Sequence, residues 1–119
     1  MYYIYCILLE DCFFSHSAKK LLDEYKIKHE FIYISNYNKD KYKYDKISTF
    51  PQIYIKKKNS HGSLLIGGYD NLKELFTMFY KKYNKDDILL AMNNYKFSKK
   101  IILRLMQIIN SFYTREDLK

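Results

Sequence analysis

An uninterrupted run of eight apolar or aromatic residues, Tyr2 to Leu9, limits the fold more than any other segment. A run of this length without alternation is typical of a central strand that is covered on both faces. The next segment has a different period, because Ala18, Leu21 and Tyr25 recur at helical spacing with charged residues between them. We therefore predict a strand, a short turn and an amphipathic helix from Phe13 to about Tyr25.

The following elements are shorter. Glu30 to Ser35 is predicted to be a second strand, and the helix between the two strands implies a parallel βαβ unit with a right-handed crossover. Asn36 to Lys46 is polar and predicts a loop with a short helix. Gln52 to Lys57 and Ser63 to Ile66 are joined by a turn-rich connector, so we expect them to pair antiparallel. Asp70 and Asn71 are suitable capping residues for a helix over about 71–83.

Residues 85–119 lie beyond these elements. They predict one short helix near Ile88 and a longer one from Ile101 to Phe112, which carries a broad apolar stripe and could be capped by Ser98. Since no Pro- or Gly-rich linker precedes them, we expect a helical extension of a domain spanning 1–84. The extension should dock on that domain or on a partner subunit, including a second copy of the chain, because an exposed stripe favours aggregation.

The net charge of +8 raises the question of nucleic-acid binding. Among the 21 cationic residues only Arg104 and Arg115 are arginines, and arginine is the better residue for bidentate phosphate contacts. Surface lysines of this kind are more often simply solvated, so nucleic acid is not an expected partner.

The two cysteines, Cys6 and Cys12, are too few for the disulfide framework of a secreted protein. The N-terminal residues lack the pattern of a signal peptide, and no apolar stretch reaches the roughly 18 residues that span a bilayer. We expect a soluble protein in a reducing compartment, the cytoplasm. Two cysteines and three scattered histidines give no zinc-ligand spacing, so no metal site is expected.

Cys12 lies in the predicted turn between the first strand and the first helix. The first backbone N–H groups of a helix have no internal partner and the helix dipole is positive there, which favours a thiolate. Because the thiolate is the nucleophile of disulfide exchange, Cys12 is a candidate redox centre. A small buried residue is the alternative interpretation. Cys6, in the middle of the apolar run, is expected to be an inert core residue.

Three short motifs then follow one another. They are Cys-Phe-Phe-Ser at residues 12–15, Thr-Phe-Pro at 49–51 and Gly-Gly-Tyr-Asp at 67–70. With these motifs the chain resembles a glutaredoxin over roughly residues 2–83. The resemblance implies an α/β fold of the thioredoxin-like class, with a βαβ-ββα core and a four-stranded mixed sheet, to which residues 85–119 add the C-terminal helical extension.

The resemblance also implies roles for the motif residues. Cys12 would be the nucleophile that takes the glutathionyl group from a mixed disulfide, and Ser15 stands where dithiol members keep a resolving cysteine, so the catalysis would be monothiol. Pro51 would follow a cis peptide bond, and the backbone of Phe50 would pair with the cysteinyl part of glutathione. The other glutathione contacts would come from Phe14, Gly68, Tyr69 and Asp70. There, N–H groups at the helix start would hold the γ-glutamyl carboxylate.

The chain departs from the family pattern just before the nucleophile. Members usually carry a lysine three residues before it, and here Leu9 stands at that position, followed by Glu10 and Asp11. Lys43, Lys46 or Gln52 would have to reach in from the opposite wall and replace that lysine in attracting the thiolate and glutathione. Phe-Phe at residues 13–14 replaces the usual Pro-Tyr, which predicts either an apolar partner surface or denser packing.

Three functions are compatible with the resemblance. The first is a monothiol thiol-disulfide oxidoreductase with glutathione as co-substrate and with glutathionylated or disulfide-containing proteins as clients. The second is an iron–sulfur cluster carrier that uses Cys12 and glutathione, although the Phe-Phe pair differs from the Gly-Phe of cluster-carrying members. The third is a protein-binding module that kept the fold and lost most of the activity, as Leu9, Glu10 and Ser15 would suggest.

Overall fold

A computed structural model of the protein describes residues 2–44, 46–80 and 85–110. The strands are β1 (Tyr2–Leu9), β2 (His29–Ile34), β3 (Gln52–Lys57) and β4 (Ser63–Gly67). The α-helices are α1 (Phe13–Glu24), α2 (Tyr69–Tyr80), α3 (Lys85–Ala91) and α4 (Lys99–Ile109). Short 3₁₀ helices span Lys39–Tyr42 and Met92–Tyr95. The chain divides into two units, Met1–Leu72 and Lys73–Lys119.

β1 lies inside a four-stranded sheet of order β2-β1-β3-β4. It pairs parallel with β2 and antiparallel with β3, and β3 pairs antiparallel with β4. These pairings confirm the predicted mixed sheet and the parallel βαβ unit. The register places Cys6 of β1 between Phe31 of β2 and Ile53 of β3, so this thiol lies in the interior of the sheet.

The two faces of β1 differ in burial. Cys6 and Leu8 point to one face and are buried, whereas Tyr5 on the opposite face is half-buried, with the Lys56 ammonium 4.1 Å from its ring centroid. The polar segment after β2 contains the short 3₁₀ helix at 39–42. Residues that follow this helix line a cavity of about 790 Å³ together with the Tyr5 face of β1. Both faces of β1 were predicted to be completely covered, but only the face with Cys6 and Leu8 is. The other face stays partly open because the polar segment supplies few apolar side chains.

α1 follows its predicted bounds and ends in a Schellman motif. Lys26 has a φ of 56°, its N–H donates to the carbonyl of Asp23 at 3.1 Å, and the N–H of Ile27 donates to the carbonyl of Leu22 at 2.9 Å. Ile27 and Leu22 are both buried, as the apolar contact of this motif requires. The motif stops the helix and returns the chain to the start of β2.

The second unit contains the C-terminal helices. Ser98 caps α4 as predicted, because its Oγ accepts a hydrogen bond from the N–H of Ile101 at 3.3 Å. The Tyr80 hydroxyl donates to the Ile109 carbonyl at 2.6 Å, which ties the end of α4 to the end of α2. The buried residues of α4 are Ile101, Ile102, Leu105, Met106 and Ile109. Phe112 and residues 81–84 lie outside the described residues, so the boundary at 84 and the docking of the extension stay predictions.

Candidate active site

Cys12 stands where β1 ends and α1 begins. The N–H of Glu10 still donates to the Ile34 carbonyl at 2.9 Å, so the chain remains attached to β2 up to the turn. Asp11 then adopts a φ of 57°, a left-handed conformation that aspartate tolerates better than most residues. Cys12 caps α1 with extended backbone, and its carbonyl accepts from the N–H of His16 at 3.0 Å. The half-buried thiol therefore lies at the positive end of the helix dipole.

The second motif lies against this thiol. The Cys12 Sγ donates to the carbonyl oxygen of Phe50 at 3.9 Å, and the Phe50–Pro51 peptide bond is cis. The predicted cis proline is thus confirmed. Gln52, the next residue, is buried at the start of β3, and its amide donates to the carbonyl of Tyr42. The sheet and the preceding loop together fix the backbone that faces Cys12.

The glycine turn completes the constellation. Gly67 has a φ of 137°, and a Cβ there would lie 2.2 Å from the Oδ1 of Asn71, so only glycine fits. The Gly68 N–H donates to the same Oδ1 at 3.1 Å, so Asn71 accepts from the residue before the helix, as the third helical residue does in a capping box. α2 therefore begins at Tyr69, two residues before its predicted start. A Cβ on Gly68 would lie 3.7 Å from the carbonyl oxygen of Pro51, so this turn adjoins the second motif.

An aromatic group borders the same site. The rings of Phe13 and Phe14 are 5.5 Å apart in an edge-to-face arrangement, and Phe14 lies 6.2 Å from the ring of Tyr69. Phe13 is 74% exposed and Phe14 is 52% exposed. Denser packing, one of the two interpretations of the Phe-Phe pair, therefore does not explain these side chains.

A family model described as Glutaredoxin matches residues 1–59, which include both the Cys12 motif and the cis proline. The chain belongs to the glutaredoxin family. Among solved structures, it is similar in fold to glutaredoxin 1 from Francisella tularensis complexed with cacodylate, with a TM-score of 0.53 and 23% identity. That similarity covers 69% of this chain and 100% of the other, and it confirms the thioredoxin-like fold. No curated protein matches the sequence.

Membership in the glutaredoxin family supports a thiol-disulfide oxidoreductase type of function. The structure brings Cys12, Phe50, Pro51 and Gly68 together, in agreement with the family pattern. Asp70 is exposed in the first turn of α2. That turn presents backbone N–H groups and the positive end of the helix dipole, the environment that binds anions at helix starts.

Ser15 has a structural contact that sequence reasoning missed. It is fully buried, and its Oγ accepts a hydrogen bond from the N–H of Leu9 at 3.0 Å. The hydroxyl thereby ties the first turn of α1 to the last residue of β1. No local sequence signal indicates this bond, because it joins two elements whose approach depends on the folded βαβ unit.

The position of the usual glutaredoxin lysine is apolar here. Leu9 occupies it, and the neighbouring Glu10 and Asp11 are both exposed. Of the three predicted substitutes, Lys43 already pairs with Asp40 at 3.0 Å, and the amide of Gln52 donates to a backbone carbonyl. The part of the site that precedes Cys12 in the chain is therefore acidic, although the protein as a whole is strongly basic.

Cys6 has the surroundings expected of a core residue. It is 1% exposed, and burial raises the pKa of its thiol to about 12. A thiol with such a pKa is protonated at neutral pH and is a poor nucleophile. The structure thus agrees with the inert role predicted for Cys6.

A metal site and a membrane-spanning helix both have structural requirements that can be compared with the described segments, residues 2–44, 46–80 and 85–110. Within them, no three His, Cys, Asp or Glu side chains are grouped so that they could hold a metal ion. No helix within these segments is long and apolar enough to cross a membrane.

Proposed function

We propose that the protein is a monothiol, glutathione-dependent oxidoreductase in which Cys12 is the nucleophile. The observation that carries this proposal is the position of the Cys12 thiol, half-buried at the start of α1 and 3.9 Å from the carbonyl of Phe50, next to the cis proline. Cys6 does not compete, since burial raises its pKa to about 12.

The proposed reaction is a pair of thiol-disulfide exchanges. In the first, the Cys12 thiolate attacks the glutathionyl sulfur of a mixed disulfide. A bond between Cys12 and the glutathionyl group forms, the bond to the client sulfur breaks, and the client thiolate takes up a proton. In the second, the thiolate of another glutathione attacks the same glutathionyl sulfur, which yields glutathione disulfide and returns Cys12 as a thiolate.

The chain offers groups for the glutathione moiety. The Phe50 backbone adjoins the thiol, and the first turn of α2 offers the N–H groups of Tyr69 and Asp70 for the γ-glutamyl carboxylate. The Asp70 carboxylate is then suited to the ligand's amino group, and the Phe14 ring borders the same region. Ser15 cannot form a disulfide with Cys12, so the glutathionyl adduct should persist until a second thiol attacks it.

The test is to incubate the protein with glutathione disulfide and to locate the adduct by peptide mass spectrometry. We expect one glutathionyl group on Cys12 and its release by reduced glutathione. An adduct on Cys6, or a disulfide between Cys6 and Cys12, would contradict the proposal. A Cys12→Ser variant is the control, because it keeps a polar atom of similar size and should remain unmodified.

The alternatives from the sequence stay predictions. A single chain does not fit an iron–sulfur cluster, because it supplies one accessible thiolate where such clusters take four ligands. Visible absorbance of protein purified without oxygen would reveal a cluster shared between subunits. A binding module would show neither the adduct nor the absorbance.

A further inference from the structure

The aromatic group beside Cys12 continues into a groove along α1. The groove has a volume of about 450 Å³. The residues that line it are Phe13, His16, Ser17, Lys20, Leu21, Glu24 and Tyr69. Apart from Tyr69, they cover the length of the helix from its first residue to its last, about 16 Å at 1.5 Å per residue. A tripeptide of the size of glutathione reaches only about 10 Å when fully extended, so the groove is longer than glutathione needs.

The exposure of these side chains is unusual for a folded protein. Single apolar side chains at the surface are common, whereas contiguous exposed patches mark interaction sites. Here Phe13 is 74% exposed and Phe14 is 52% exposed, the two rings contact each other, and the Phe14 ring lies 6.2 Å from that of Tyr69. The patch begins at the residue after the nucleophile, so a partner that covered it would be held next to the reacting thiol.

The charges around the groove select among partners. The Nζ of Lys20 lies 3.8 Å from the Oε1 of Glu24, so the charges of these two groove residues compensate each other. The two exposed carboxylates of Glu10 and Asp11 precede Cys12 and disfavour an anionic ligand there. Glutathione carries two carboxylates and one ammonium group, which makes it a poorly matched ligand on that side of the thiol.

Resting on the function proposed above, we propose that the client of Cys12 is a glutathionylated polypeptide with apolar residues on one side of its modified cysteine and basic residues on the other. The apolar residues pack on Phe13, Phe14 and Tyr69 and continue along α1. The basic residues face Glu10 and Asp11. The glutathionyl group is transferred as described, so the client leaves as a free thiol.

The test uses synthetic peptides of equal length, each with one glutathionylated cysteine. One peptide has aromatic and lysine flanks, a second has aromatic and glutamate flanks, and a third has small neutral flanks. We expect kcat/KM for the first to exceed that for the third by at least about tenfold, as apolar pockets discriminate. The first should exceed the second by about two- to fivefold, a difference that falls with salt because the charges are exposed.

Variants assign these preferences to residues. Phe13→Ala should remove most of the preference for aromatic flanks, and a Glu10→Lys, Asp11→Lys double variant should reverse the preference for lysine. Two matched controls lie outside the groove: Tyr37→Ala removes a tyrosine that is 98% exposed, and Glu30→Lys reverses an exposed charge on β2. Both should keep the wild-type order of the peptides.

The outcomes separate this inference from the proposed function. Transfer from all three peptides at equal rates, or a preference that Phe13→Ala leaves intact, would overturn the groove assignment while the proposed function stands. Absence of transfer from every peptide and from a small glutathione mixed disulfide would overturn both.

Discussion

Cys6 and Cys12 lie only six residues apart in the sequence, yet the structure gives them different surroundings. Cys6 is held between two neighbouring strands, 1% exposed, with its pKa raised to about 12 by burial. Cys12 lies past the turn at Asp11, half-buried, at the first turn of a helix and beside the Phe50 carbonyl. The difference shows that backbone position, rather than proximity in sequence, decides how far each thiol is buried.

The largest expected effect concerns turnover of a small glutathione mixed disulfide. Cys12→Ser should lower it by several orders of magnitude, because the nucleophile is lost, while the melting temperature changes little. Cys6→Ala should retain turnover and lose about 1 kcal/mol of stability, since it removes one buried heavy atom. Steady-state kinetics and denaturation of both variants check this. Full turnover in Cys12→Ser would show that Cys12 is not the nucleophile and would contradict the predicted difference between the two thiols.

Ser15 tests whether the Cys12 region depends on a structural hydrogen bond. Ser15→Ala removes the acceptor for the Leu9 N–H in a buried place, so we expect a loss of about 1–3 kcal/mol in the free energy of unfolding. Alkylation of Cys12 should continue, because the hydroxyl is not needed for monothiol exchange. Urea denaturation measures the first effect and the alkylation rate the second. An unchanged stability would mean that the bond to Leu9 contributes nothing.

Leu9→Lys tests the missing cation near Cys12. It places a cation, opposite in charge to the glutathione carboxylates, where the family usually has a lysine. A partly exposed charge of this kind is worth about 1.4 kcal/mol, or roughly a tenfold gain in kcat/KM for glutathione through a lower Michaelis constant. The Michaelis constant for glutathione is the readout, and Leu9→Met is a matched control without charge. The same constant in wild type and Leu9→Lys would show that another group already fills the role.

The smallest expected effect is the contribution of Cys6 to the pH dependence of folding stability. In the unfolded chain this thiol ionises near pH 9, whereas in the folded protein burial raises its pKa to about 12. The thiol therefore stabilises the fold fully below pH 9, and that contribution is lost as pH rises from 9 towards 12. At pH 10 the loss is about 1 kcal/mol relative to pH 7. The Cys6→Ala variant should not show this loss of stability at high pH. Equal losses of stability in wild type and variant would therefore refute the assignment of the pH dependence to Cys6.

Periodicity and motifs predicted most of the elements that place Cys12. The unbroken run at 2–9, the helical spacing after Cys12 and the strand-like runs around the connector at 58–62 each follow from local sequence. The parallel and antiparallel pairings followed from chain order and connector length. The confirmed cis bond at Pro51 came from the family resemblance, since nothing local to the proline specifies it.

The remaining features depend on contacts between distant residues. The bond from the Leu9 N–H to Ser15 and the side-chain contact of Asn71 with the Gly68 N–H both appear only in the folded backbone. Because of the contact between Asn71 and the Gly68 N–H, α2 begins at Tyr69 rather than at the predicted residue 71. Likewise, sequence allowed Phe13 to be either packed or exposed, and only the structure shows that it faces solvent.

Brief alkylation of the native protein tests the difference between the two thiols most directly. Wild-type protein is treated with iodoacetamide at neutral pH, digested, and analysed by mass spectrometry, with a second sample alkylated after unfolding. We expect the native protein to be labelled on Cys12, and Cys6 to be labelled only in the unfolded sample. Labelling of Cys6 before Cys12 in the native protein would contradict this expectation.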